Sequence, residues 1–182
     1  MKTIFGNIDL MKLKLRSLGT TLQGVHLNGG FWCNHNLLTT LEGSPIYVEG
    51  AFNCQDNQLT TLKGAPERVG GNLYCGRNKL TSLEGGPTTC RSYYCNDNEL
   101  TNLIGAPKKV DQFGCNYNPL VSLEGAPETV LGDFRCCYNK LESLKGLPKI
   151  IKGSLIIVGT ARQFTLDDVH AERCVVSGMI YL

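Results

Sequence analysis

Cysteines stand at positions 33, 54, 75, 95, 115 and 136, at intervals of 21, 21, 20, 20 and 21 residues. Such spacing is a structural period, unlike the C-x-x-C spacing of a metal or redox motif. Other columns keep the same register. A large apolar residue precedes each cysteine by two (Phe31, Phe52, Leu73, Tyr93, Phe113, Phe134), and an asparagine follows it by three (Asn36, Asn57, Asn78, Asn98, Asn118, Asn139). Two leucine columns come next (Leu38, Leu59, Leu80, Leu100, Leu120, Leu141, then Leu41, Leu62, Leu83, Leu103, Leu123, Leu144). Glycine, proline and an apolar residue close each unit, the last at Val48, Val69, Cys90, Val110, Val130 and Ile151. Six units therefore read F-x-C-x-x-N-x-L-x-x-L-x-G-x-P-x-x-V, and six of the seven prolines fall in one column. One such unit cannot bury its apolar face, so the units must stack into a solenoid with a shared core.

Laid against the pattern L-x-L-x-x-N-x-L, the Phe and Cys columns take the two inward strand positions and the asparagines coincide. The chain thus resembles the leucine-rich-repeat family. Its N-x-L-T-x-L stretches and later Pro and Val columns are similar to the short bacterial repeats of secreted ubiquitin-ligase effectors, and also to a cysteine-bearing version in bacterial and tailed-phage proteins. The resemblance covers about residues 31–158 and implies a leucine-rich-repeat solenoid with a curved parallel β-sheet on its concave side. A period this short leaves no room for a full helix on the return path, so the convex side is expected to be mostly non-helical. No ligase domain follows the repeats in this sequence, and ligase activity is not carried over.

One structural domain is expected, in three stretches. Residues 1–30 read as an N-terminal cap and degenerate repeat, where Ile4, Ile8, Leu10, Leu13, Leu15, Leu18 and Val25 keep apolar spacing without the Cys, Asn or Pro signals. Residues 31–158 are the repeats. Residues 159–182 read as a C-terminal cap, because Arg162 and Thr165 fall where leucines are due. Thr165 with Asp168 three residues on is a capping-box start for a short helix, with Leu166, Val169 and Arg173 on one face. The run from Cys174 to Leu182 is expected to be a strand that pairs with or covers the open edge.

The remaining composition narrows the chemistry. A balance of 18 Lys and Arg against 16 Asp and Glu gives a net charge of +2, too near neutral to imply a general polyanion partner. No secretory signal or membrane-spanning stretch is visible, and nine cysteines without such a signal point to a reducing cytoplasm. Inward cysteines read as small apolar residues. No metal site or cofactor is expected, since His26, His35 and His170 join no ligand cluster. Cys137 is the one outward thiol on the sheet, and its row-mates Asn116 and Val158 supply neither base nor positive charge. No catalytic constellation is expected.

The outward strand positions carry the functional reading. One row runs Trp32, Asn53, Tyr74, Tyr94, Gly114, Arg135 and Ile156, and a second, just before the asparagines, runs His35, Asp56, Arg77, Asp97, Tyr117 and Tyr138. Seven strands make a surface about 30 Å long. Tyr, Trp and Arg anchor protein interfaces because they bury large area and keep a polar end. The rows therefore point to a protein partner bound through the concave face at Trp32, His35, Asp56, Tyr74, Arg77, Tyr94, Asp97, Tyr117, Arg135 and Tyr138. The tailed-phage resemblance extends this to a phage-encoded inhibitor of a bacterial host protein. Three other readings remain open. Asp56, Arg77 and Asp97 neutralise one another and the aromatics only stiffen the sheet; the tyrosines stack on single-stranded nucleic acid; or Cys137 serves a thiol-dependent enzyme.

Overall fold

The structure, a computed structural model, describes residues 2–182. The chain winds into a parallel β-solenoid of nine turns, each contributing one strand to a single nine-stranded sheet. Its strands are Ile8–Asp9, Phe31–Trp32, Phe52–Asn53, Leu73–Tyr74, Tyr93–Tyr94, Phe113–Gly114, Phe134–Arg135, Leu155–Ile156 and Ile180–Tyr181. Equivalent positions pair directly, as in Phe31 with Phe52 and Leu155 with Ile180. Like side chains therefore stack on like. The Phe and Cys columns are at most 1 % exposed, and the Phe31–Phe52 and Phe113–Phe134 rings lie parallel at 5.6 Å. Burying one such ring contributes about 1.5–3 kcal/mol, which a lone turn cannot obtain without its neighbours.

The cysteines and asparagines tie successive turns through their polar atoms. The thiols of Cys54, Cys75, Cys95 and Cys115 each donate to a carbonyl of the following turn, Cys95 to Gly114 O at 3.4 Å for example. Such a thiol needs little room and still finds an acceptor. Asn98 donates to Cys75 O and Cys95 O and accepts from Leu80 N–H at 3.1 Å, and most of the column repeats this pattern. Asn139 departs from it: its Oδ1 has no partner and its Nδ2 reaches Cys136 Sγ. All nine cysteines are free thiols.

The Val column forms sheets of its own, a feature the sequence reading placed on an extended return path. Lys2–Phe5, Val25–Asn28, Tyr47–Val48 and Arg68–Val69 make one four-stranded parallel sheet; Lys109–Val110, Thr129–Val130, Ile150–Ile151 and Val175–Val176 make another. Between them the pairing thins to one bridge, Arg68 with Thr89, and lapses before Lys109. The reason lies at the corner joining each flanking strand to the long sheet. Most corners hold three residues with a central glycine, and a Cβ on Gly50 would sit 2.8 Å from the Gly29 carbonyl carbon. The corners Arg91–Ser92 and Asp111–Gln112 hold two residues and no glycine, which makes these the two 20-residue turns. The ladder lapses between them.

Both ends continue the winding. Lys2–Phe5 and Ile8–Asp9 form a full first turn in register with the second. Near the C-terminus Thr165 caps helix α1, Leu166–Ala171, with both capping-box bonds to Asp168 in place. The expected apolar face of α1 is not formed. Val169 is buried, but Leu166 is 53 % exposed, and Arg173 lies beyond the helix at φ +56. Phe164 and Cys174 supply the burial instead. Val175–Val176 then pairs with Ile150–Ile151, and Ile180–Tyr181 with Leu155–Ile156. No helix among the described residues is long and apolar enough to cross a membrane.

Candidate binding face

Because the strands alternate inward and outward, the outer side of the long sheet presents one residue per turn in an unbroken row. Pairing fixes that row as Asp9, Trp32, Asn53, Tyr74, Tyr94, Gly114, Arg135, Ile156 and Tyr181. Asp9 and Tyr181 extend it beyond the sequence reading. Eight strand spacings give a face about 38 Å long.

The second row takes a backbone state that the sequence did not signal. His35, Asp56, Arg77, Asp97, Tyr117 and Tyr138 all have φ between +53 and +55, and Lys12 and Gly159 continue the row with positive φ. The left-handed region is unfavourable for a residue with a Cβ, by about 1–2 kcal/mol, and uncommon for a bulky one. The chain leaves the strand through this residue, and the asparagine that follows ties the bend to the neighbouring turn. Arg and Tyr give no hint of positive φ and Asp and His only a weak one, so the fixed offset from the asparagine column marked the position.

The two rows bring the aromatic candidates together in pairs. Tyr74 and Tyr94 stack at 5.2 Å, with their hydroxyls bonded to Asn72 and Gln112 at 2.9 Å. Tyr117 and Tyr138 stack at 4.7 Å and remain 52 % and 53 % exposed. Tyr94 lies against Gly114 and Tyr138 against Gly159, where an added Cβ would fall 3.2 and 2.5 Å from the ring. Trp32 stands apart from both pairs, beside a shallow hollow of about 430 Å³ that it lines with Asn7, Asp9, Met11, Asn34 and Asn53.

The charged candidates are largely satisfied among themselves. Arg77 reaches Asp56 at 3.6 Å and Asp97 at 3.9 Å, and His35 lies 3.7 Å from Asp56. Arg135 pairs with Asp133 at 2.9 Å. The Asp133 carboxyl is held below its ordinary range, first by Ser154 N–H and then by the Arg135 guanidinium. Four carboxylates (Asp9, Asp56, Asp97, Asp133) thus stand against three cations (Lys12, Arg77, Arg135) on this face. By this count the face carries no net positive charge.

Cys137 is half-buried, its thiol directed at Ile156 O at 3.6 Å and its backbone N–H bonded to Asn116 Oδ1. Burial pushes the Cys33 and Cys90 thiols up to about 12, and Cys174 to about 11. Among the described residues no three His, Cys, Asp or Glu side chains converge as a metal site. A hollow of about 730 Å³ lies between the returns of the first turns, where Lys63 pairs with Glu42 at 3.4 Å. It holds none of the candidate residues. Compared with known protein families, curated proteins and solved structures, the chain matches none.

Proposed function

We propose that this chain is a binding module, rather than an enzyme, that holds a protein partner on the outer face of its long sheet. The observation that carries the reading is the Tyr117–Tyr138 pair, stacked, half-exposed and held at left-handed positions. The bend made at the same place in successive turns sets that backbone state, and at these two turns it carries a bulky aromatic side chain where Gly or Asn would cost less. Tyrosines fixed in advance lose little entropy on burial, which is what an interface anchor needs. The balanced charge of the face favours a protein over a nucleic acid. The repeat's resemblance alone suggests a bacterial host protein as that partner, and the free thiols suit a reducing compartment.

The test is capture of a partner on the immobilised chain, compared with a Tyr74→Ala/Tyr94→Ala/Tyr117→Ala/Tyr138→Ala variant of unchanged circular dichroism. Central aromatic anchors contribute about 2 kcal/mol each, so the variant should bind at least about tenfold more weakly. Equal capture by both chains would remove this face from the reading. Binding of labelled single-stranded oligonucleotides at low salt, weakening as salt rises, would replace the protein with a nucleic acid.

A further inference from the structure

We infer that this chain associates with a second copy of itself head to tail, the last turn of one copy docking on the first turn of the next so that both sheets run on between them. Except at Cys90, where the flanking ladder lapses, the inward strand residues direct their N–H groups at the following turn: Val69 to Thr89 O, Phe134 to Ser154 O, Leu155 to Met179 O and Ile157 to Tyr181 O, at 2.8–3.0 Å. In turn nine the corresponding residues are Val176, Ile180 and Leu182. Their N–H groups have no acceptor among the described residues, and the matching carbonyls of turn one, at Thr3, Asn7 and Asp9, have no donor. Unpaired strand edges of this kind are templates for another strand.

The two edges fit one another in spacing, apolar pattern and charge. Ile4, Ile8 and Leu10 occupy the Val, Phe and Cys columns of turn one, and Val176, Ile180 and Leu182 occupy the same columns of turn nine, with identical separations. All six side chains are only partly buried against the core. Stacking Val176 on Ile4, Ile180 on Ile8 and Leu182 on Leu10 would bury both sets as interior turns are buried. Residues 174–182 carry no charged side chain, so no side chain on that edge repels a docking strand by charge. Residues 2–24 hold four cations against Asp9, whereas residues 159–182 hold Asp167, Asp168 and Glu172 against two arginines. Opposite signs therefore face each other only when unlike ends meet.

Geometry separates this arrangement from a two-fold dimer. The long and flanking sheets meet at a corner, so a two-fold contact between like ends can align only one of them, with its strands antiparallel. Head-to-tail docking aligns both, with strands parallel as everywhere else in the molecule. Helix α1 leaves the return path filled, since a helix about 10 Å across spans two strand spacings of about 4.8 Å. A contact of this class does not close on itself and builds open chains of copies.

Engineered cysteines on the exposed residues Thr3 and Val175 give the test, because docking places these two directly opposite each other, one from each copy. Neighbouring strands are about 4.8 Å apart, within the Cα separation that a disulfide spans. Under mild oxidation the Thr3→Cys/Val175→Cys chain should form a ladder of covalent oligomers on a non-reducing gel. Each single variant should run as a monomer on that gel, and the two singles mixed should give covalent dimers and nothing longer. Sedimentation of the unmodified chain should show mass rising with concentration. A double variant that stays monomeric overturns the inference, as does a single variant that cross-links alone, which would indicate a contact between like ends.

Discussion

Tyr93 stands where the other turns place Phe, Leu or Ile, fully buried with no hydrogen-bond partner for its hydroxyl. Room for that oxygen comes from Gly86, which replaces the Ser or Ala found at Ser44, Ala65, Ala106 and Ala126; a Cβ there would fall 3.0 Å from Tyr93 Oη. A buried hydroxyl without a partner costs about 1–3 kcal/mol, while the ring itself packs as well as a Phe. Tyr93→Phe should therefore raise stability by about 1 kcal/mol, read as a higher urea midpoint with an unchanged slope. A lower midpoint would mean that the hydroxyl holds a bond the packing does not show. The same scale explains the second outward row, where Asn or Gly would adopt positive φ at least cost and the chain uses them only at Gly159. Elsewhere in that row side-chain identity is kept against backbone preference.

Helix α1 closes the return of turn eight with few resources: six residues, one buried side chain and a capping box. So short a helix has no stability of its own, and its first turn depends on Thr165 and Asp168. Thr165→Ala should cost about 1 kcal/mol and raise amide exchange in residues 165–182 while leaving the central turns unchanged. The Asp168 carboxyl sits below its ordinary range, chiefly through the Thr165 N–H bond, with Arg162 adding to it. Its stabilisation is therefore in place above the unfolded value near about pH 4 and is lost as pH falls through the lowered folded value. Exchange in the last turn should rise there first. This cap was legible because Thr165 and Asp168 carry a local signal, and the long sheet because six columns repeat it. The flanking sheets were hidden, since all but the first two of their strands have two residues and show no alternation, although the 20-residue turns already recorded the missing corner glycines. The candidate face was legible in membership but not in state. Positive φ at Tyr117 and Tyr138 follows from the bend rather than from their side chains, and rings resting on Gly114 and Gly159 are contacts between turns. The neutralisation of Asp56 and Asp97 by Arg77 was readable, because residues one period apart are neighbours.

A solenoid touches itself only turn to turn, so its stability is a sum of nearest-neighbour terms, and end turns with one neighbour open before central turns with two. The cysteine column supplies a built-in reporter, one buried thiol in each of six consecutive turns. Desolvation holds Cys33, Cys54, Cys75, Cys95 and Cys115 far above the ordinary thiol range, so alkylation at neutral pH requires the turn to open first. Pulsed alkylation in sub-denaturing urea, read by mass spectrometry on dilute chain, should modify Cys33 first, with only the degenerate first turn beyond it. Cys54 and Cys136 should follow, and Cys75, Cys95 and Cys115 should be last. Equal rates at all six would mean one cooperative unit and defeat the nearest-neighbour account. Cys95 and Cys115 leading would instead place the weakest joint at the lapse between Thr89 and Lys109. Raising the concentration adds a separate constraint. Copies docked head to tail give turn one a second neighbour, so Cys33 should slow more than any other thiol in the column.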